Sequence, residues 1–216
     1  MKNKINKLRK LLNRTIVAGL LVTSLNAQPP SGSIEGMSTD KALTTDTKLS
    51  ADITPSVNLF GRNRTTLDYS NGSKTPFTLL DLSYNWKNGF GVLLETQFPD
   101  GQNPDPRPAI QYFRSRGKFS LYAELSAGFT PQFNGEALIK LRYVKPITQK
   151  FSGIAQIETI TDFNRTRLTF ATQRTKAGLG IDKNLEIGLE VDSTQIPPCN
   201  ASKINATLGG YLTYKF

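Results

Sequence analysis

A chain of 216 residues has room for one domain with a sizeable core, and its net charge of +10 at first suggests a nucleic-acid footprint. The location of the charge removes that reading. Lys2, Lys4, Lys7, Arg9, Lys10 and Arg14 all precede residue 28, a stretch without Asp or Glu, so most of the excess belongs to one terminal segment and no nucleic-acid partner is expected.

In chain order, that segment has the layout of a secretory signal peptide over residues 1–27. A basic stretch precedes the apolar run Ile16 to Val22, and Leu25, Asn26 and Ala27 form a cleavage site before Gln28. The apolar run is shorter than the roughly 20 residues that a membrane helix needs. Residues 28–56 are rich in Ser, Thr, Gly, Pro and Asp, with little apolar side chain to bury, and read as a flexible periplasmic extension.

From Val57 onward a period of two takes over. Leu80, Leu82, Tyr84 and Trp86 alternate with Asp81, Ser83 and Asn85; Phe90, Val92 and Leu94 alternate with Gly91, Leu93 and Glu95. The same texture recurs in Phe119–Leu125, Ala137–Tyr143 and Leu185–Val191. Side chains on a strand point alternately to opposite faces, so each segment has one apolar and one polar face. Charged residues fall mainly on the polar face, and aromatics gather at strand ends. Tight turns such as Lys87-Asn88-Gly89 alternate with longer polar connections such as Pro99–Arg107.

These features predict an all-β fold: a closed antiparallel up-and-down transmembrane β-barrel over residues 57–216, with about ten strands. Eight strands result if 108–115 or 150–160 lies outside the barrel. Twelve result if 48–54 adds one strand and 166–181 splits in two. The phase change in 166–181, where Leu168 and Phe170 are even but Ala177, Leu179 and Ile181 are odd, calls for that split or for a bulge near Arg174.

The polar faces place Glu95, Glu124, Glu136, Lys140, Arg142, Glu158, Arg167, Glu186 and Glu190 in the lumen. Carboxylates among them could meet as a catalytic pair, but pairing with Lys140, Arg142 and Arg167 to fill a narrow bore is the simpler role. The sequence has no histidine and a single cysteine, Cys199, which excludes Ser-His-Asp hydrolysis, His-ligated zinc or haem, and an intrachain disulfide. Asp100, Asn103 and Asp105 lack the spacing of a calcium loop. Neither a metal nor a cofactor is expected, and no catalytic residue is assigned. Arg62, Arg64, Arg165, Arg167 and Arg174 suit a polyanion site, lumen pairing or lipid headgroups equally.

The chain closes on Leu208, Leu212, Tyr214 and Phe216, four residues of one strand face ending in an aromatic. This resembles the assembly signal of bacterial outer-membrane β-barrels. The resemblance implies recognition by the barrel-assembly machinery, Sec-type export, outer-membrane lipid as surroundings, and a last strand that closes against the first. Three functions follow as expectations. One is a narrow passive pore for small polar or charged solutes, and another is a non-conducting structural or adhesion barrel whose outer loops meet a partner. The third is a soluble periplasmic barrel that encloses a lipid against an inward apolar face.

Overall fold

The computed structural model describes residues 29–101, 103–129, 132–195 and 205–216. The leader 1–27 and Cys199 lie outside the described residues.

Twelve strands form one closed barrel in which each pairs antiparallel with its neighbours in sequence, and the first pairs with the last. They are β1 Ser31–Thr39, β2 Ala42–Thr54, β3 Val57–Asp68, β4 Lys74–Asn85, β5 Phe90–Pro99 and β6 Asp105–Arg116. The second half comprises β7 Phe119–Gly128, β8 Asn134–Pro146, β9 Phe151–Asn164, β10 Leu168–Ile181, β11 Leu185–Gln195 and β12 Asn205–Lys215. Closure is made by the register Ser33↔Lys215 through Thr39↔Gly209, and below it Gly32 and Phe216 exchange backbone hydrogen bonds of 2.9 and 3.0 Å. No sheet edge is left to template aggregation.

The expected barrel is therefore present, with twelve strands rather than ten. Segments 108–115 and 150–160 both lie in the wall, which removes the eight-strand count. The route to twelve also differs from the one the sequence suggests. Residues 166–181 do not split: β10 is one strand, with a register shift between Leu168 and Phe170 and none at Arg174. The two additional strands come from the N-terminal segment, so residues 31–54 are barrel wall and not a flexible extension. The physical reason is that β2 keeps the period of two with Thr in place of Leu. Leu43, Thr45, Thr47 and Leu49 form one row, while Thr44, Asp46 and Lys48 form the other. Threonine is β-branched and suits a pleated surface, though it carries little apolar weight.

The barrel is inside-out relative to a soluble domain. Among the described residues, fifteen of the buried ones are polar or charged and only seven apolar, and the exposed set is dominated by Leu, Ile, Val and aromatics. Leu94, Ile139, Leu189 and Leu208 are each more than half exposed, whereas Glu95, Glu158 and Glu190, on the opposite face, are buried. An apolar girdle of this size on a monomer far exceeds the few hundred Å² that water-facing surfaces tolerate, and a bilayer is its fitting solvent. It also removes the lipid-enclosing soluble barrel, which needs the apolar face inward.

At the end that holds both strand termini, rings meet in the pairs Tyr84–Trp86, Phe90–Tyr112, Phe119–Tyr143 and Tyr214–Phe216. At the other end Phe133 lies between Phe129 and Phe163. Two aromatic belts at opposite rims match the two interfaces of a bilayer. Phe77, although an aromatic near a strand end, lines the lumen. Leu208, Leu212, Tyr214 and Phe216 all face outward and are about half exposed or more.

Candidate functional site: a charged lumen in two chambers

The lumen is built from alternate residues of all twelve strands, and its charges segregate by wall. On β4 to β7 the inward row contributes Asp81, Glu95 and Glu124, with Glu136 next to them on β8. On β8 to β12 and round to β3 the inward row is rich in Lys and Arg. The separation follows from the sequence of individual strands, because each period of two carries its own choice of acid or base to the same height of the barrel.

Two cavities result. The smaller, about 230 Å³, is lined by eight cationic side chains and five carboxylates, among them Glu35, Asp46, Arg64, Arg142, Arg174, Lys176, Glu186 and Glu190. The larger, about 670 Å³, holds the acidic wall together with Tyr122, Phe60, Leu79, Leu93 and Leu138. Lys48, Arg62, Lys140 and Glu158 line both, so they form the neck where one chamber passes into the other.

The basic chamber is laced with ion pairs. Arg62 grips Asp46 through Nε at 2.9 Å and Nη2 at 2.5 Å, and Lys48 reaches the same carboxylate at 3.4 Å. Glu158 is shared by Lys140 at 3.8 Å and Arg174 at 3.2 Å, and Arg174 also meets Asp192 at 3.3 Å. Arg142 pairs with Glu186 at 2.5 Å, and Lys215 closes on the same glutamate. Lys176 on β10 reaches Glu35 on β1 at 2.6 Å and Glu190 on β11 at 2.9 Å, with its ammonium 5.0 Å from the centre of the Tyr211 ring. Burial of these charges is affordable only because each has a partner of opposite sign.

The acidic wall is organised differently. Gln97 donates to Glu95 at 2.6 Å and to Glu136 at 3.3 Å, so one neutral amide holds two carboxylates together. The Tyr122 hydroxyl lies 2.5 Å from Glu124 and 3.0 Å from Gln111. Arg107, at 3.7 Å from Glu136, is anchored at 2.8 Å to Asp105. Asp105 is thus a lumen residue at the start of β6 and no part of a loop site.

Of the nine residues assigned to the lumen from sequence, eight are there. Glu95, Glu124 and Glu136 share the large chamber; Lys140 and Glu158 stand at the neck; Arg142, Glu186 and Glu190 line the small chamber. Arg167 is the exception. It sits in the exposed turn between β9 and β10, because the strand ends at Asn164, whose side chain accepts from the Thr166 and Arg167 amides. Sequence reasoning missed Glu35, Asp46 and Lys48, which lie on the two strands read as an extension. Arg62, Arg64 and Arg174, left between three roles, line the basic chamber. Alternation on β3 and β10 was the available signal for them.

No protein-family model matches the sequence, and no curated protein matches it. Solved structures do. The barrel is similar to the KdgM porin, with a TM-score of 0.55 at 14% identity over 86% of this chain and 99% of that one. The two share a fold, a closed antiparallel β-barrel. A second KdgM porin structure, in complex with disordered oligogalacturonate, gives 0.54 at 13% identity over 86% and 99%. The NanC porin gives 0.52 at 9% identity over 87% and 99%. At these identities the likeness concerns the path of the backbone, and the lumen chemistry must be read from this chain itself.

Proposed function

We propose that the protein is a narrow passive pore of the bacterial outer membrane, non-enzymatic, carrying small polar or charged solutes. The observation that carries this reading is the lumen: two abutting chambers lined by ionisable and polar side chains, where a purely structural barrel of this size would be filled by packed side chains. Twelve strands enclose a wider bore than the eight that side chains fill completely, yet a narrower one than the 16 to 18 strands of open aqueous channels. Neighbours of like fold are porins by name, which supports the same reading. Export through the leader, folding by the barrel-assembly machinery on the signal ending at Phe216, and residence in outer-membrane lipid complete the proposal.

Single-channel recording of the reconstituted protein in a planar bilayer tests it. Reproducible conductance steps, with an ion selectivity that shifts on Glu124→Gln or Arg142→Gln, are expected. A folded and inserted but silent barrel refutes the pore. It would leave the lumen ion pairs as a plug and direct attention to loops 70–75 and 99–107 as partner surfaces.

A further inference from the structure

The rim that holds both strand termini carries a charge pattern that the lumen does not use. Along the outward row of β6 the order is Ile110, Tyr112, Arg114, Arg116, and along that of β8 it is Leu141, Tyr143, Lys145. Each row runs from aliphatic to aromatic to cationic. Gln111 and Phe113 on β6 and Arg142 on β8 line the lumen, so alternation sends Arg114 and Lys145 outward. Two residues of a strand tilted by about 40° span ~5 Å of depth, which sets these cations ~5 Å beyond the aromatic belt. That is the depth of lipid headgroups, which add about 5–7 Å to each side of the hydrocarbon core.

The tight turns extend the same charge into a continuous sector. Lys87 follows Trp86 in the β4–β5 turn, Lys118 precedes Phe119 in the β6–β7 turn, and Lys150 precedes Phe151 in the β8–β9 turn. Backbone hydrogen bonds join these turns to their neighbours: Phe113 donates to Gly89 at 2.8 Å, and Val144 donates to Lys118 at 2.9 Å. Lys87, Arg114, Arg116, Lys118, Lys145 and Lys150 are all exposed, and among the described residues none has an ion-pair partner. No Asp or Glu occurs in 84–92, 110–122 or 141–155. The rest of this rim is balanced, with Lys215 paired to Glu186 and Lys183 next to Asp182. The opposite rim is mixed as well, with Asp40 beside Lys41 and Asp68 near Lys74.

We infer that the β4–β9 sector of this rim collects anionic phospholipids, their phosphodiesters held by the six basic side chains beside Trp86 and the other rim aromatics. A soluble acidic partner would meet the turns from the aqueous side and would leave Arg114 and Lys145, on the lipid-facing rows, without a role. The inference needs an inserted barrel and not a conducting one, so a silent lumen leaves it standing.

Trp86, the single tryptophan, adjoins Lys87 and serves as the probe. The protein extracted from membranes of expressing cells is reconstituted into phosphatidylcholine vesicles. These contain a minor and equal fraction of either brominated phosphatidylglycerol or brominated phosphatidylcholine. Local enrichment of phosphatidylglycerol by about fivefold, the scale of one basic residue at an anionic surface, should appear as stronger quenching of Trp86. The excess should vanish in about 1 M salt, where the screening length is roughly 3 Å. Lys87→Gln with Arg114→Gln and Arg116→Gln should remove it, while Lys41→Gln with Lys74→Gln at the opposite rim should keep it. Heat-modifiable gel migration checks that each variant is folded. Equal quenching by the two lipids overturns the inference and assigns the sector to a soluble acidic partner. An excess that survives the triple substitution overturns its assignment to these side chains.

Discussion

Lys176→Met is the most informative perturbation of the barrel's energetics, because one ammonium holds two carboxylates from strands at opposite ends of the chain. Its partners Glu35 and Glu190 are at 2.6 and 2.9 Å, with side chains only 15% and 2% exposed and Lys176 itself 8%. At an effective dielectric constant of 20 each contact is worth roughly 6 kcal/mol of gross attraction, most of which is offset by the desolvation of the ions. Removing Lys176 alone leaves that desolvation uncompensated at two buried carboxylates, and the expected destabilisation is about 3–5 kcal/mol. Methionine has a similar length and keeps the packing over the Tyr211 ring, so the loss reports charge rather than volume. Neutralising all three groups, with Lys176→Met, Glu35→Gln and Glu190→Gln together, should restore stability to within ~1 kcal/mol of the parent or exceed it. Urea unfolding of the barrel in lipid vesicles, followed by tryptophan fluorescence from Trp86, measures both. A single-variant loss below ~1 kcal/mol, or a triple variant no more stable than the single one, would refute the argument that these charges are buried and mutually dependent.

Further outcomes follow from the inside-out wall. Leu94→Arg on the outer face should cost about 2–4 kcal/mol in the same unfolding assay, while Leu93→Gln on the adjacent lumen position should cost clearly less, since the two side chains meet lipid and a polar chamber respectively. Gly188→Val should prevent refolding to the heat-modifiable form, because any Cβ there collides with the Ala177 carbonyl oxygen and the Gly178 backbone across the β10–β11 seam. Tyr211→Ala should weaken the same region by about 3–5 kcal/mol, the usual cost of deleting a large buried aromatic, as its ring is 3% exposed and its hydroxyl reaches Gly178. Removal of residues 29–41 should leave β12 paired on one side only, with β11, and abolish folded, heat-modifiable protein, which a gel of the truncated chain reads directly.

How much of this was legible in the sequence depends on how each strand pays out its alternation. On β4, β5, β7, β8 and β11 Leu, Ile, Val and aromatics mark the lipid face plainly, and lumen residues such as Glu95, Lys140 and Glu190 followed at once. The same rule failed on β1 and β2. Their lipid-facing rows are interrupted by Gly36, Thr45 and Thr47, so composition there resembles a linker although the period of two persists.

The sequence by itself determined that this chain forms a barrel, which face of most strands meets lipid, and that Leu208, Leu212, Tyr214 and Phe216 lie outside. Those properties are local, because side-chain direction along a strand is set by the strand's own backbone. Only the tertiary structure decided the strand number, the neck between two chambers, and the pairing of Lys176 with a glutamate 141 positions away. Barrel closure sets which inward rows face one another, and closure depends on every strand and register at once. A local pattern shows that a side chain enters the lumen; the closed sheet alone decides what it finds there.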